Sequence, residues 1–363
     1  MKNKIPWFYP VFDNREILET RKVILSNYLN EGKIVEKFEN AICQLLGVNY
    51  CVACTSGTSA ITLSLLALDI QKDDEVIVPN FTFIATANAA SLIGAKVRFA
   101  DVKKENFTIN PEDLKNKITK KTKCIITVDV NGRACDYKEI LKICKENKIK
   151  LITDSAEAFY SQYGNKKLGT LGDLGCFSLS AMKTISTGQG GFVTTNSYKL
   201  YKELRKKKDQ GRNKKGTGGN DIHFCRGHNF KYTNLQAAIG LAQLTKLKRR
   251  IKNFHVRDNI YQKLLSKNNK IFLPEKKKGE ILQWFDLVSR DSKKIKSRLE
   301  NKKIEYRSFW FPINSQKPYH DLDKKGFKNS YFVSKNGIWL PSFFGISEKT
   351  INFICKEILS VLD

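Results

Sequence analysis

From Tyr50 onward the chain alternates two kinds of hydrophobic pattern. Short apolar runs bounded by Gly, Pro, Asn or Asp predict strands near 50–54, 75–79, 96–100, 123–128, 149–153, 174–179 and 190–195. Between them, apolar positions spaced three and four apart predict helices near 58–68, 83–92, 111–117 and 136–147. Such an alternation implies a mainly parallel, seven-stranded α/β sheet with helices on both faces. Upstream, Ile17, Val23, Ile24 and Tyr28 mark one helical stripe, and Val35 to Leu46 forms a second amphipathic helix after Gly32. Downstream, Thr233 or Asn234 is placed to cap a helix over 235–244, and a basic continuation from Lys246 leads into an α+β region. Strands over 281–288 and 337–340 and helices over 291–301 and 347–362 are expected there. The glycine-rich, lysine-rich stretch 205–228 reads as a mobile loop.

Length adds a domain count. At roughly 150 residues per domain, 363 residues suggest two. The expected division is a large domain over 1–245 and a small α+β domain over 246–363, with residues 1–30 packing on the small one. No run approaches 18 apolar residues, so no membrane insertion is expected. No long apolar segment follows the first basic residues, so no signal peptide is expected either. Nine cysteines, mostly inside apolar segments, suit reduced thiols in a cytoplasmic protein. Cys51 and Cys54 have CxxC spacing but no second pair at zinc-ligand distance, and read as core residues rather than a metal site.

Charge raises a further possibility. A net charge of +28 requires nucleic-acid binding to be weighed. The basic residues are mostly lysines spread over the whole chain, without interleaved aromatics or an arginine-rich helix. A solvated lysine-rich surface is the better reading, with no specific nucleic-acid partner. Its positive field favours small anions such as nucleotide diphosphates.

The candidate chemistry gathers around Lys183. This lysine follows the strand 174–179 and precedes a glycine turn, Gly188 to Gly191. Asp154 and Glu157 stand three apart just past another strand end. An acid at the carboxyl end of a parallel strand together with a lysine in a turn suits pyridoxal phosphate. The lysine would form the Schiff base and the acid would hold the pyridine nitrogen protonated. Read alone, the carboxylate pair also suggests a metal or glycosidase site, but neighbouring histidines and tryptophan clusters are lacking and Lys183 would be unexplained. Thr55-Ser-Gly-Thr-Ser-Ala60 opens a helix after the first strand, where N–H groups and hydroxyls could hold a phosphate; alone it is a plain N-cap. Phe83 follows the second strand and could stack on a planar ring, and Ser178 could reach the same phosphate.

With these residues in place, the chain resembles the DegT/DnrJ/EryC1 nucleotide-sugar aminotransferases, in particular their perosamine-synthase-like branch. Their fold is that of the aspartate aminotransferase superfamily, the pyridoxal-phosphate-dependent transferase fold type I. The motifs are Gly32 to Glu39, Thr55 to Ala60, Asp154 to Ala158, Gly172 to Ser178, Lys183 to Gly191 and Gly227 to Gly240, in order along nearly the whole chain. The resemblance implies Lys183 as the Schiff-base lysine, Asp154 on the ring nitrogen, Glu157 on the 3-hydroxyl and Phe83 on the ring face. It implies Thr58, Ser59 and Ser178 on the phosphate, with Asn229 reaching the cofactor of a partner subunit in a homodimer. Tyr319 and His320 are candidates for the sugar pocket, or equally loop anchors. The implied reaction moves an amino group from L-glutamate, through pyridoxamine phosphate, to C4 of a nucleotide-linked 4-keto-6-deoxyhexose. Amination at C3, a sugar dehydratase, and a non-catalytic basic binding protein on the same fold are the alternatives. The dehydratase branch carries histidine in place of the lysine. Three positions depart from the family pattern: Ser180-Ala-Met182, His228, and Lys231-Tyr232.

Overall fold

The computed structural model describes residues 4–213, 221–320 and 326–362. Its centre is a seven-stranded sheet of Tyr50–Cys54 (β1), Glu75–Pro79 (β2), Lys96–Ala100 (β3), Thr122–Val128 (β4), Lys150–Asp154 (β5), Leu174–Ser178 (β6) and Gly191–Thr195 (β7). The spatial order is β1-β7-β6-β5-β4-β2-β3. Only β7 runs antiparallel to its neighbours in this sheet. The fold class expected from the alternation is therefore the one observed.

Period-two alternation explains how both faces are covered. Ile152 and Leu174 face a core with Ile61 and Leu65 of helix α3 (Gly57–Ala67), Ala87 of α4 (Ala85–Leu92) and Leu204 of α7 (Tyr198–Lys208). Their neighbours Leu151 and Ile125 point the other way, against Ile140 and Ile143 of α6 (Tyr137–Asn147). On that second side, Phe177 and Phe192 stack at 4.5 Å and meet Phe38 and Ala237.

A second sheet is built from Phe285–Val288 (β8), Arg307–Ser308 (β9) and Gly337–Leu340 (β10), in the antiparallel order β8-β10-β9. Helix α9 (Leu247–Leu265), α10 (Ser292–Asn301) and α12 (Glu348–Leu359) share its core. The chain does not keep the two sheets apart. Ile313, Tyr319 and Phe327 return to the core of the first sheet. At the other end, Ile5 bridges to Ile304, and Trp7 packs with Trp284 at 5.1 Å.

Several expected elements change in detail. The stretch expected to be an irregular loop from 205 begins inside α7, which Ser197 caps through the Leu200 N–H. Its apolar stripe is thin: Leu204 is buried, Leu200 and Tyr201 are partly buried, and the buried Lys208 donates to Glu31 at 2.8 Å. Residues 214–220 of that stretch lie outside the described residues. The strand expected over 281–288 begins only at Phe285. Before it, the Ile281 N–H donates to Ser161 Oγ and the Trp284 N–H to Asn131 Oδ1, so those backbone groups are held by side chains instead of a strand ladder. Helix α1 (Asn14–Leu25) exposes Ile17 and Ile24, and its buried anchors are Val23 and Glu16. Glu16 is clamped by Lys246 at 2.6 Å and by Gln243 at 2.6 Å. All nine cysteines are unpaired, and burial pushes the Cys54 thiol up to about 12. Among the described residues no helix is long and apolar enough to cross a membrane.

Ile152 lies on the middle strand of the seven and is fully buried. Ile152→Ala should cost about 2–5 kcal/mol, because the packed helices cannot collapse into the cavity it leaves. The measurement is a lowered urea midpoint with an unchanged slope.

Candidate active site

The carboxyl ends of the parallel strands open into a cavity of about 380 Å³. Its lining includes Ser56, Gly57, Thr58, Phe83, Thr86, Asp154, Glu157, Ser178 and Lys183, joined by Trp284, Arg307 and Trp310 from the far half of the chain. A ligand cavity is expected at this edge of an open α/β sheet, because the loops that leave the strand ends diverge there.

Lys183 sits in the turn between β6 and β7. Its Nζ lies 3.3 Å from Glu157 Oε1 and 5.4 Å from the centre of the Trp284 ring. Glu157 is buried, and its other oxygen accepts the Asn131 N–H at 3.0 Å. Asn131 has a left-handed backbone (φ 52), which asparagine tolerates better than most residues. Its side chain also donates to the Trp284 carbonyl at 2.8 Å and accepts from the Trp284 N–H at 2.8 Å. One residue thus fixes the acid beside Lys183 and the indole beneath it.

Asp154 ends β5, buried, with Thr86 Oγ1 donating to it at 2.8 Å and the Ala156 N–H at 3.2 Å. Burial pushes its carboxyl up to about 6, against the Thr86 hydrogen bond, the Ala156 N–H and the charge of Lys183, which all pull it down. Behind it, Asp129 is held by Ser155 Oγ at 2.6 Å and Tyr137 Oη at 2.8 Å, and burial pushes it up to about 7.

Opposite lies the N-terminus of α3. Ser56 caps it through the Ser59 N–H at 3.0 Å. A Cβ on Gly57 would come within 2.9 Å of the Ser178 Cβ, and one on Gly191 within 2.4 Å of the Ser56 carbonyl. The two glycines let β6, β7 and α3 close on one another, so the helix N-terminus faces the cavity beside Thr58 and Ser178. This is an anion cradle.

These residues fit pyridoxal phosphate. Asp154 is a buried carboxylate with no cation in hydrogen-bond contact among the described residues, and a protonated ring nitrogen would neutralise it. The cradle suits the phosphate, and the exposed Phe83 ring offers a flat face.

Of the residues expected at the site, Lys183, Asp154, Glu157, Phe83, Thr58 and Ser178 line this cavity. Ser59 does not; its hydroxyl is shared with Thr55 and Ser56 at 2.8 Å each. Asn229 is exposed, forms a backbone bridge with Asp209 and is not among the lining residues. Neither Tyr319 nor His320 lines the cavity. Tyr319 is buried against Phe99 and donates to Asn88 at 2.7 Å, and His320 Nδ1 lies 2.8 Å from the Lys317 carbonyl. Of the departing positions, Ser180, Ala181 and Met182 do line it. His228 instead stacks on Phe230, Lys231 pairs with Asp209 at 2.9 Å, and Tyr232 donates to Thr187 in the glycine turn at 2.7 Å. Sequence reasoning missed Thr86, Asn131, Trp284, Arg307 and Trp310. Thr86 was within reach, three residues past Phe83; the others come from loops whose approach only tertiary packing decides.

The raised Asp154 pKa has a sign. The folded form holds the proton up to about pH 6, the unfolded chain only to about 3.9. Its contribution is therefore intact below about pH 4 and is lost as pH rises toward 6. In cofactor-free protein, Asp154→Asn should flatten the fall in stability across that window and raise stability at pH 7 by on the order of 3 kcal/mol. Denaturation at a series of pH values measures both; an unchanged slope would show that the carboxylate is not desolvated.

The chain matches the model of the DegT/DnrJ/EryC1/StrS aminotransferase family over residues 10–359. It is 34% identical over 362 residues to a GDP-perosamine synthase of Vibrio cholerae, covering 97% of each chain. It is 33% identical over 361 residues to a GDP-perosamine synthase of Escherichia coli, covering 98% of this chain and 97% of that one. Among solved structures it resembles Helicobacter pylori PseC, an aminotransferase of pseudoaminic acid biosynthesis, with a TM-score of 0.93, 26% identity and 99% of each chain covered. A lysine, a buried acid and a phosphate cradle around one cavity are what pyridoxal-phosphate-dependent amino transfer needs, and the chain belongs to the DegT/DnrJ/EryC1/StrS aminotransferase family.

Proposed function

We propose that the protein transfers the amino group of L-glutamate to C4 of a nucleotide-linked 4-keto-6-deoxyhexose. The observation that carries the reading is Lys183, a lysine 3.3 Å from Glu157 in the cavity where the dehydratase alternative would have histidine. Similarity to GDP-perosamine synthases along the full chain supports a GDP-linked sugar and attack at C4.

What pyridoxal phosphate supplies when bound is an electron sink for the reacting carbon and storage of the amino group, as pyridoxamine phosphate, between the two half-reactions. The protein's residues do the rest. Asp154 would keep the ring nitrogen protonated, and Glu157 would contact the ring hydroxyl. Thr58, Ser178 and the N-terminus of α3 would hold the phosphate. Lys183 Nζ would take the proton from the donor's α-carbon and in the second half-reaction return one to the sugar carbon. Glu157 and the Trp284 ring keep that nitrogen in place. Trp284 and Trp310 narrow the cavity and limit water.

A homodimer belongs to the same reading, with Asn229 serving the partner's cofactor. Its support is the apolar face that α1 leaves exposed at Ile17, Leu18, Ile24 and Leu25. The division near residue 245 is supported by the core of the second sheet, whose buried residues all lie between Tyr261 and Leu362. A cytoplasmic site is supported by nine unpaired cysteines.

Lys183→Ala should leave the fold intact and lower turnover by a factor of about 10²–10⁴ or more. Substantial residual turnover would remove the lysine from the mechanism. NMR of the product should place the new amine at C4; an amine at C3 or a 3-deoxy sugar would overturn the assignment. Sedimentation should give a dimer, and a monomer at working concentration would remove the role of Asn229.

A further inference from the structure

The basic stretch from Lys246 supplies nothing to the cavity lining. It folds as α9, and its Arg250 and Arg257 are buried. They stand seven apart, two turns along one helix face. Arg257 pairs with Asp258 and donates to the carbonyls of Leu282 at 2.6 Å and Gln283 at 2.9 Å. Arg250 donates to the carbonyls of Thr184 at 2.8 Å and Val11 at 2.9 Å, and to the side chain of Gln243. No carboxylate pairs with Arg250 among the described residues. A buried cation without a charged partner costs stability. Its place on Thr184 therefore points to the site rather than to the core.

Thr184 follows Lys183. The carbonyl before the lysine, that of Met182, accepts from Gln283 Nε2 at 2.6 Å, across 101 residues of chain. Gln283 is buried, and Arg257 holds its backbone. The peptide group between Met182 and Lys183 is planar, and its N–H donates to the Ser180 carbonyl at 3.1 Å. Both of its polar atoms are therefore bonded. The segment from Ser180 to Ser186 is closed at its base by Leu179. The Leu179 carbonyl accepts from the Thr187 N–H at 2.9 Å, and the Leu179 N–H donates to the Gly190 carbonyl at 2.8 Å. Above that base, the carbonyls on either side of Lys183 are held from outside the segment, by Gln283 and Arg250. A lysine stem is long and flexible. Fixing the backbone at its foot is what keeps Nζ within 3.3 Å of Glu157 and over the Trp284 ring.

We propose that Gln283 and Arg250 are positioning residues for Lys183. Neither lines the cavity. They act through the peptide groups at the foot of the lysine, and one face of α9 supplies both contacts, Arg250 directly and Gln283 through Arg257. The proposal rests on the aminotransferase reading and adds to it what holds the lysine for its proton transfers. A displacement of about 1 Å at a reacting group can cost about 100-fold in rate.

The test compares three variants of the full chain, each confirmed as folded by circular dichroism. Gln283→Met keeps the length of the side chain without its N–H. Arg250→Met removes the guanidinium, and an apolar chain of similar volume in place of a buried charge is tolerated. Leu299→Ala opens the core of the second sheet without touching the lysine's segment. The first reading uses cofactor-free protein: the rate at which acetic anhydride modifies Lys183, followed by mass spectrometry of its peptide. The rate should rise by about 3- to 10-fold in Gln283→Met and in Arg250→Met, the effect of losing one hydrogen bond. The second reading is turnover of the holoenzyme with glutamate. In both variants kcat and kcat/KM should fall together by about 10- to 100-fold, because the lost contact acts on the reacting nitrogen and not on substrate binding. Leu299→Ala should lower the melting temperature and leave both readings within about twofold. An unchanged or slower modification of Lys183 in either Met variant would overturn the proposal. So would an unchanged kcat, or changes of the same size in Leu299→Ala. A wild-type holoenzyme that takes no amine from glutamate would instead sink the aminotransferase reading, and the modification rates would still decide whether the two residues hold Lys183.

Discussion

The site depends on one contact above the others, the ion pair of Lys183 with Glu157. A lysine amine serves as nucleophile and base only if it stays at the cavity and close to a group that controls its charge. Here the pair is largely buried, with side-chain exposures of 14% and 7%, so it is screened far less than a surface pair. Two buried charges persist only when their remaining bonds are satisfied. Asn131 meets that demand by donating its N–H to the free oxygen of Glu157.

Asn131 ties this contact to the rest of the molecule. Its side chain bonds the Trp284 backbone in both directions and donates to Asp286 at 2.7 Å. Asp286 in turn pairs with the buried Arg133 and accepts from Trp339. The loop after β4, the strand β8 and the aromatic wall therefore share one polar network. It orders the second sheet against the first at the point where the chemistry happens. One departure from the family pattern also serves the site: the Tyr232 hydroxyl braces Thr187 in the glycine turn that follows Lys183.

Much of this was legible from the order of residues alone. The strands and helices of the first sheet follow from local periodicity, and their boundaries agree to within a residue or two because Gly, Pro, Asn and capping Ser mark them. Lys183, Asp154, Glu157, Phe83, Thr58 and Ser178 could be nominated because each sits at a fixed offset from a strand end, where an α/β sheet exposes its functional groups. Ser59 could not be told from Thr58: both are hydroxyl residues at a helix start, and only the local geometry turned the Ser59 hydroxyl toward Thr55 and Ser56. Tyr319 could be read from the sequence as a pocket residue or a loop anchor; it packs beside Phe99 in the first core, with Ile313 and Phe327.

The sequence by itself determined the sheet, the lysine and the acids around it, because strand alternation and turn chemistry are local and repeat at short range. Tertiary structure alone decided the far wall. Trp284, Arg307 and Trp310 lie more than a hundred residues beyond Lys183, and nothing in their local pattern marks them as neighbours of it. Their meeting is set by how the second sheet docks. That docking rests on burying the four indoles together and on satisfying Asp286 and Asn131, constraints visible only once the chain has closed on itself.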